Sequence, residues 1–583
     1  MRSGEASLRA KSATDSAPSL AIDRRFWIAI AFLAGLLAAV QLLSIRQESQ
    51  TWDEGFEIVG GYQYLTTGEY RPSIENPPLE RILEAIPLLL VHPDLKGDAL
   101  GANNTAASDV GAGLAFLYTN RIHAGALLLI ARLPMIAVTI GLLLALAAWC
   151  KVRFGALAGL VAAVLFAADP TVIAHGRYVK NDMTVTAMAF LAVIAWDWFL
   201  RSGRLIALAA SGVSLGLALG SKFSAVFLLP VFLLLYVLAN WRKFSVLHFV
   251  KSFAAVSVLA TAVLLLLYAP YAGTLLPHPR GAPGTPLRDA VNQSTMFGRD
   301  VAWIGSRLGW RAHPLLIGLS EFAAHGGGSH PAYLMGHRGS TGWWYYFPFA
   351  FAIKTPVGSI AAILLAIPFA LFEPVLIVPI VIFGALSIIG HVDIGLRHIL
   401  PVYPFLYALA GVGLSRMRWR FRPAVIVVVL AAAAIESLTA FPYYTAFFNA
   451  LVGGSKNGPK YLVDSNIDWG QDLKRLGEFS TAHGNPRICI AYFGTAPTWY
   501  YVHAPENFPS PEEMQRGALL GCDFAAVSVT PLEGVYVPED WFSWLRDVPL
   551  LERIGYSIYV WDVHNPAFVS AYAKIGGGQA GVR

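Results

Sequence analysis

The chain has 583 residues, 56% of them hydrophobic and only 14% charged, with a net charge of +6. Its mean hydropathy is +0.54. Soluble proteins carry about 25% charged residues, so this composition excludes an ordinary soluble enzyme. Several apolar runs reach roughly 18 residues, enough to cross a bilayer core of about 30 Å. The basic residues sit in short loops between those runs, which argues against nucleic acid as a partner, and three cysteines are too few for a disulfide framework.

Residues 1–25 read as a polar, cytoplasmic leader with Arg2, Arg9, Lys11, Arg24 and Arg25. The apolar run that follows ends in QLLSIRQES without a small-residue cleavage site, so it is expected to be an uncleaved first membrane helix. Further runs predict membrane helices near 130–150, 156–169, 183–200, 205–220, 223–240, 249–269, 347–372, 374–390, 399–415 and 423–440, about eleven with the first at 26–45. With the N-terminus inside, four of the five cytoplasmic loops are basic (Lys151–Arg153, Arg201–Arg204, Arg242–Lys243 and Arg416–Arg422), as the positive-inside rule requires. The fifth is the turn at Glu373. The abundance of Arg over Lys, with much Ala and Leu, points to a GC-rich bacterium and hence to an inner membrane.

Three segments then lie outside: loops at about 46–129 and 270–346, and the tail 441–583. PPLERILEAIPLLL in the first loop is amphipathic and suited to lying along the interface. The second loop, rich in Gly, Pro, His and Trp and without strong periodicity, reads as a lid or acceptor-binding loop. In the tail DLKRLGEFSTAHG reads as a helix, and RICIAYF, FAAVSVT and IGYSIYVWDV as strands, giving a small α/β domain. Cys489 and Cys522 both fall there, and buried free thiols are favoured over a disulfide.

Ionisable residues at membrane depth are functional candidates. Asp53 and Glu54 follow the first helix as adjacent carboxylates, suited to general-base work or metal ligation, or else to a solvated helix start. Glu75 precedes the double proline of IENPPL, aimed at the membrane surface or simply opening a helix. Asp182, after Arg177 and Lys180 in HGRYVKNDMTV, either caps a helix or returns to the face that carries Asp53. Lys222, Arg397, His398 and Lys354 are cations expected near that face, where they either snorkel to head groups or bind an anionic lipid phosphate. Asp464, Asn466, Asp468 and Asp472 alternate like calcium ligands, but the glycine is one place late and Arg475 stands where a Glu is needed, so Asx turns before a helix are favoured.

The order of these features resembles the GT-C superfamily of membrane glycosyltransferases. The resemblance rests on Asp53-Glu54 after helix one, ENPPL, ARLPMIAVTIG, Asp182 at a helix start and GLALGSKFSA; it spans about 25–440, with its specific motifs between 50 and 230. It is nearest to family 39, the protein O-mannosyltransferases, and to the bacterial aminoarabinose transferases that act on lipid A. YLMGHRGSTGWWYYFPFAFAIKTP, GLRHILPVYP and DSNIDWGQDL resemble a bacterial branch of the same group.

The resemblance implies a mainly α, polytopic fold over 26–440, with a polyprenyl-phosphate sugar donor and a lipid, glycan or protein acceptor presenting a hydroxyl outside. It implies Asp53 as catalytic aspartate, with Glu54 beside it, and Asp182 as second acid. Glu75 matches a glutamate that binds a divalent metal in some members. Lys222, Arg397, His398 and Arg177 would serve the donor phosphate. Asn76 stands where relatives place Lys or His, which removes one phosphate contact. A transporter or flippase of a lipid-linked intermediate is the competing class, but no inverted repeat is visible. A non-catalytic assembly subunit would fit if the acids did not converge.

Overall fold

In the computed structural model, residues 24–70, 72–95, 106–270, 287–309, 313–325, 330–390, 392–538 and 541–577 are described. Most of the expected leader lies outside them.

All eleven apolar runs form helix, but they are not equally long. By length and composition six can cross a membrane: Arg24–Ile45, Ala124–Phe154, Asn181–Ser202, Val246–Leu267, Leu396–Arg416 and Arg422–Ala440. Counting a bent pair, Tyr346–Lys354 with Val357–Ala370, gives up to seven. The remaining apolar runs are helical as expected but shorter than this measure requires. Ala156–Ala167, Leu205–Ser221 and Pro374–Ile389 have 12, 17 and 16 residues. At 1.5 Å per residue they rise about 18–26 Å, less than a bilayer core of about 30 Å. The run near 223–240 starts as a 3-10 turn, Phe223–Phe227, before the helix Leu228–Ala239. The run near 347–372 bends by 117° at Thr355-Pro356. Pro356 forces Thr355 out of the α region (φ −97°, ψ 137°), so the helix ends and restarts in a new direction.

The helices differ in how much of their surface the protein covers. The apolar window of Leu396–Arg416 is 83% buried and that of Val246–Leu267 only 17%, so the first is central and the second faces lipid. Small residues let neighbours approach, as expected where lipid supplies no hydrophobic drive between helices. A Cβ on Gly216 would stand 2.6 Å from the carbonyl oxygen of Ala260, on the facing helix.

The described parts of the two long loops are more ordered than their sequences indicate. The first holds helices Glu54–Thr67, Pro78–Ala85 and Ala106–Tyr118. Pro78–Ala85 does not float on the interface: Glu80, Arg81 and Glu84, its polar face, are buried against Glu54–Thr67. The second holds helices Leu287–Ala290, Met296–Arg307 and Pro314–His325 and a hairpin, Ala332–Leu334 with His337–Gly339. That hairpin is clasped to the tail through Tyr333 Oη, which donates to Pro459 O at 2.9 Å.

The tail is built on a five-stranded sheet ordered Ala504–Asn507, Arg487–Ala491, Phe524–Ser528, Ile558–Asp562 and Glu552–Ile554. The first two pairings are parallel and the last two antiparallel. IGYSIYVWDV is a hairpin rather than one strand, because Gly555 and Tyr556 both take positive φ and turn the chain. Cys489 and Cys522 form a disulfide, which corrects the expectation of free thiols.

Candidate active site

The segment after the first helix is fixed from both sides. Ser49 N donates to Gln471 O and Trp52 N to Trp469 O, each at 2.9 Å, so the tail stitches itself to the turn that presents Asp53 and Glu54. Asp53 stands at the N-cap of Glu54–Thr67, yet its side chain makes no capping bond. Its carboxylate turns instead toward Lys180 Nζ at 3.5 Å and Arg397 Nη1 at 4.0 Å, and is 17% exposed.

Arg397 is the hub. Its Nη1 also donates to Asp182 Oδ2 at 3.3 Å, so Asp53 and Asp182 share one guanidinium. Lys222 Nζ donates to the other oxygen of Asp182 at 2.5 Å, and the Lys222 side chain is 21% exposed. Asp182 is thus no simple helix cap. His398 lies beside this group, and its buried Nε2 has no hydrogen-bond partner among the described residues.

Glu54 and Arg177 do not join the cluster, contrary to expectation. Glu54 is fully buried and takes Arg132 Nε at 2.7 Å, Arg132 Nη2 at 2.6 Å, Thr51 N at 2.8 Å and Val179 N at 3.0 Å. Burial pushes its carboxyl up, but Arg132 and the two backbone donors outweigh burial and leave it below the usual carboxylate range. It is a structural anchor with no oxygen left for substrate. Arg177 is equally buried and bonded to Glu48 Oε1 at 2.6 Å and Ser44 Oγ at 2.7 Å, so no donor phosphate can reach it. Arg132→Ala should leave Glu54 as an uncompensated buried charge. Breaking such a pair costs about 3–5 kcal/mol, to be read as a large drop in melting temperature in detergent. An unchanged melt would show that the pair is not structural.

Glu75 accepts from Ser73 Oγ at 2.9 Å and is linked to the cluster through Ser73 and Glu57. Among the described residues no three His, Cys, Asp or Glu side chains are grouped to hold a metal ion. Asn76 spends its amide on Glu57 Oε1 at 2.6 Å and receives Asn181 Nδ2 on its oxygen at 3.0 Å, joining the ENPPL turn to the helix of Asp182.

Sequence reasoning missed Lys180 as a member of this group. It reaches Glu57 Oε1 at 3.3 Å as well as Asp53, restoring a cation close to where Asn76 lacks one. Its only signal was proximity, two residues before Asp182. Glu57, Arg81, Glu80 and Glu84 were missed too. Arg81 pairs with Glu57 at 3.2 Å, whereas all four oxygens of Glu80 and Glu84 are buried without a partner among the described residues. Burial pushes both carboxyls well above their usual range. Gly61 permits this packing, since a Cβ there would meet Arg81 O and Glu84 Oε1 at 2.4 and 2.8 Å.

The tail also completes the site. Ser465 Oγ accepts from Arg397 Nε at 3.2 Å, and the guanidinium lies 4.3 Å from the centre of the Trp469 ring. Lys354 does not snorkel: it is buried and donates to the carbonyls of Thr445 (3.0 Å), Phe447 (2.9 Å) and Asn466. The alternating acids diverge, Asp464 to Tyr536, Asp468 to Thr530 N and Asp472 to Ser557, so they form no calcium loop.

Comparison with known proteins bears on this geometry. Residues 121–268 match the family model described as dolichyl-phosphate-mannose-protein mannosyltransferase. No curated protein sequence matches. Among solved structures the chain is similar to ArnT from Cupriavidus metallidurans bound to undecaprenyl phosphate, at 12% identity and TM-score 0.46, covering 92% of this chain and 97% of that one. It is also similar to the Archaeoglobus fulgidus oligosaccharyltransferase, at 11% identity and TM-score 0.44 over 88% and 70% of the two chains. A third is the S. cerevisiae protein O-mannosyltransferase complex bound to its sugar donor, at 17% identity and TM-score 0.33 over 47% and 37%. Likenesses this distant transfer no activity. The family match falls on the helices that carry Asp182 and Lys222, inside the stretch whose motifs resemble the same group. It covers about a quarter of the chain and shows a likeness over that stretch alone.

Proposed function

We propose that the chain moves a sugar from a polyprenyl-phosphate donor to an acceptor hydroxyl at the extracytoplasmic face of the membrane, by direct displacement with inversion. The observation that carries this reading is the meeting of Asp53, Asp182, Lys180, Lys222 and Arg397 at the ends of membrane helices, from positions far apart in sequence. Asp53 takes the acceptor proton while the acceptor oxygen attacks the sugar carbon. The bond from that carbon to phosphate breaks, and its electron pair leaves on the phosphate, where Lys222 and Arg397 offset the growing charge. Asp182, bonded to both cations, positions them rather than acting as a second base.

A lipid donor suits a site where Lys222 ends one apolar helix and Asp182 opens another. The basic inner loops and the disulfide of the tail both support an outward-facing site, since disulfides persist in oxidising compartments. Reporter fusions at Ser245 and Lys456 should therefore report opposite sides of the membrane, and a cytoplasmic signal at Lys456 would overturn the orientation. The reading of a non-catalytic subunit needed acids that stay apart, and these share a guanidinium.

The direct test uses purified protein with a panel of radiolabelled polyprenyl-phosphate sugars, scored for loss of sugar from the lipid. No release from any donor would sink the proposal. Lys222→Ala should weaken donor binding as well as turnover, because the phosphate is already charged in the ground state. A variant with normal donor binding would remove Lys222 from the phosphate site.

A further inference from the structure

Three aromatic rings adjoin the catalytic cluster and take no part in the chemistry above. Trp52 immediately precedes Asp53 and is 37% exposed although Thr51 and Glu54 around it are buried. Phe493 lies 4.9 Å from it, and Tyr536 stacks on Phe493 at 5.5 Å with the planes only 8° apart. Tyr536 is 49% exposed. It is held there in the left-handed region (φ +64°), a conformation that costs a tyrosine energy and recurs at ligand sites. The far end of the run is polar: Tyr536 Oη donates to Asp464 Oδ2 at 2.8 Å, and the Asp464 carboxyl feels the charges of both Arg397 and Asp53. A half-open row of rings therefore runs beside the proposed base and ends in a hydroxyl–carboxyl pair.

This combination selects one kind of ligand. A pyranose has an apolar C–H face that lies flat on an aromatic ring, and its equatorial hydroxyls need acceptors and donors at the ring's edge. A peptide would instead seek free main-chain groups to pair with, and three of those near the rings are already taken. Trp52 N donates to Trp469 O, Trp52 O accepts from Thr495 Oγ1 at 2.7 Å, and Phe493 N donates to Ser528 Oγ at 3.0 Å.

We infer that Trp52, Phe493 and Tyr536, with Asp464 at their edge, form an acceptor subsite for a saccharide ring, so that the hydroxyl receiving the transferred sugar is itself a carbohydrate hydroxyl. The inference rests on the transferase reading for its word "acceptor", but the binding of a saccharide to these rings does not. It also gives the tail a role, since two of the three rings and the polar edge come from it and only Trp52 from the membrane half.

Saturation-transfer NMR on the full chain in nanodiscs tests it, with methyl mannopyranoside, methyl glucopyranoside, chitobiose and a serine- and threonine-containing hexapeptide as probes. At least one saccharide should receive saturation on its ring C–H protons. Trp52→Leu and Tyr536→Leu should each cut that signal at least fivefold, and Tyr536→Phe, which keeps the ring, should retain at least half of it. If Trp52→Leu fails to fold, Tyr536→Leu decides, because its side chain is half exposed. No response from any saccharide, a response from the peptide alone, or a signal that survives both leucine variants would overturn the inference. Polyprenyl-phosphate binding, measured on the same unmodified sample, keeps the two readings separate: its absence would sink the donor assignment and leave the saccharide result standing.

Discussion

Asp53→Asn should abolish most sugar transfer while leaving the protein folded and able to bind its donor lipid. The substitution keeps size and some hydrogen bonding but cannot accept a proton, and losing a general base costs about 10²–10⁴-fold in rate. Folding should survive because Asp53 is partly open and makes no capping bond, so the helix it precedes does not depend on it. The measurement is single-turnover transfer at saturating donor, which separates chemistry from product release. If the amide variant retains more than about a tenth of the wild-type rate, the base lies elsewhere. Asp182 would be next, despite its two cations, because the Glu54 carboxylate is already filled by Arg132 and two backbone donors.

Arg397→Ala should be nearly as damaging, and by a different route. The guanidinium touches both carboxylates and is the only described cation that does. Removing one preorganised donor from a developing anion costs about 10²–10³ in turnover, and here the donor lipid should also bind more weakly. Arg397→Lys should recover little. An ammonium cannot hold Asp182 and Ser465 with separate nitrogens while sitting over the Trp469 ring. Donor titration with single-turnover transfer checks both effects. A lysine variant with near-normal turnover would show that charge alone matters and that the tail's grip on Arg397 is incidental.

Trp469 and Ser465 show why the tail was hard to read. DSNIDWGQDL gives local signals for turns and a following helix, and the Leu473–Ala482 helix is there. Nothing in those ten residues announces that a serine and a tryptophan will hold an arginine some 70 positions earlier. Amphipathic patterning likewise misled for Pro78–Ala85. Its apolar and polar faces are real, but the polar one turns inward: Arg81 pairs with Glu57, while burial and the like charge of Glu57 push the Glu80 carboxyl well above its usual range. Lys354 was expected to reach for head groups and instead found three backbone carbonyls.

The sequence by itself determined the membrane character of the molecule, the helical state of all eleven apolar runs and the identity of most groups in the cluster. Those properties follow from local quantities: apolar length, charge placement along the chain, and the chemistry of residues such as Asp53, Asp182 and Arg397. Only the tertiary structure decided which neighbour does what. Asp53 and Glu54 are adjacent, yet consecutive residues at a helix start point about 100° apart. One therefore meets Lys180 and Arg397 at a partly open edge, and the other meets Arg132 in the dry interior. A carboxylate's role is set by the partners that reach it in space, and those partners come from helices whose packing no local pattern encodes.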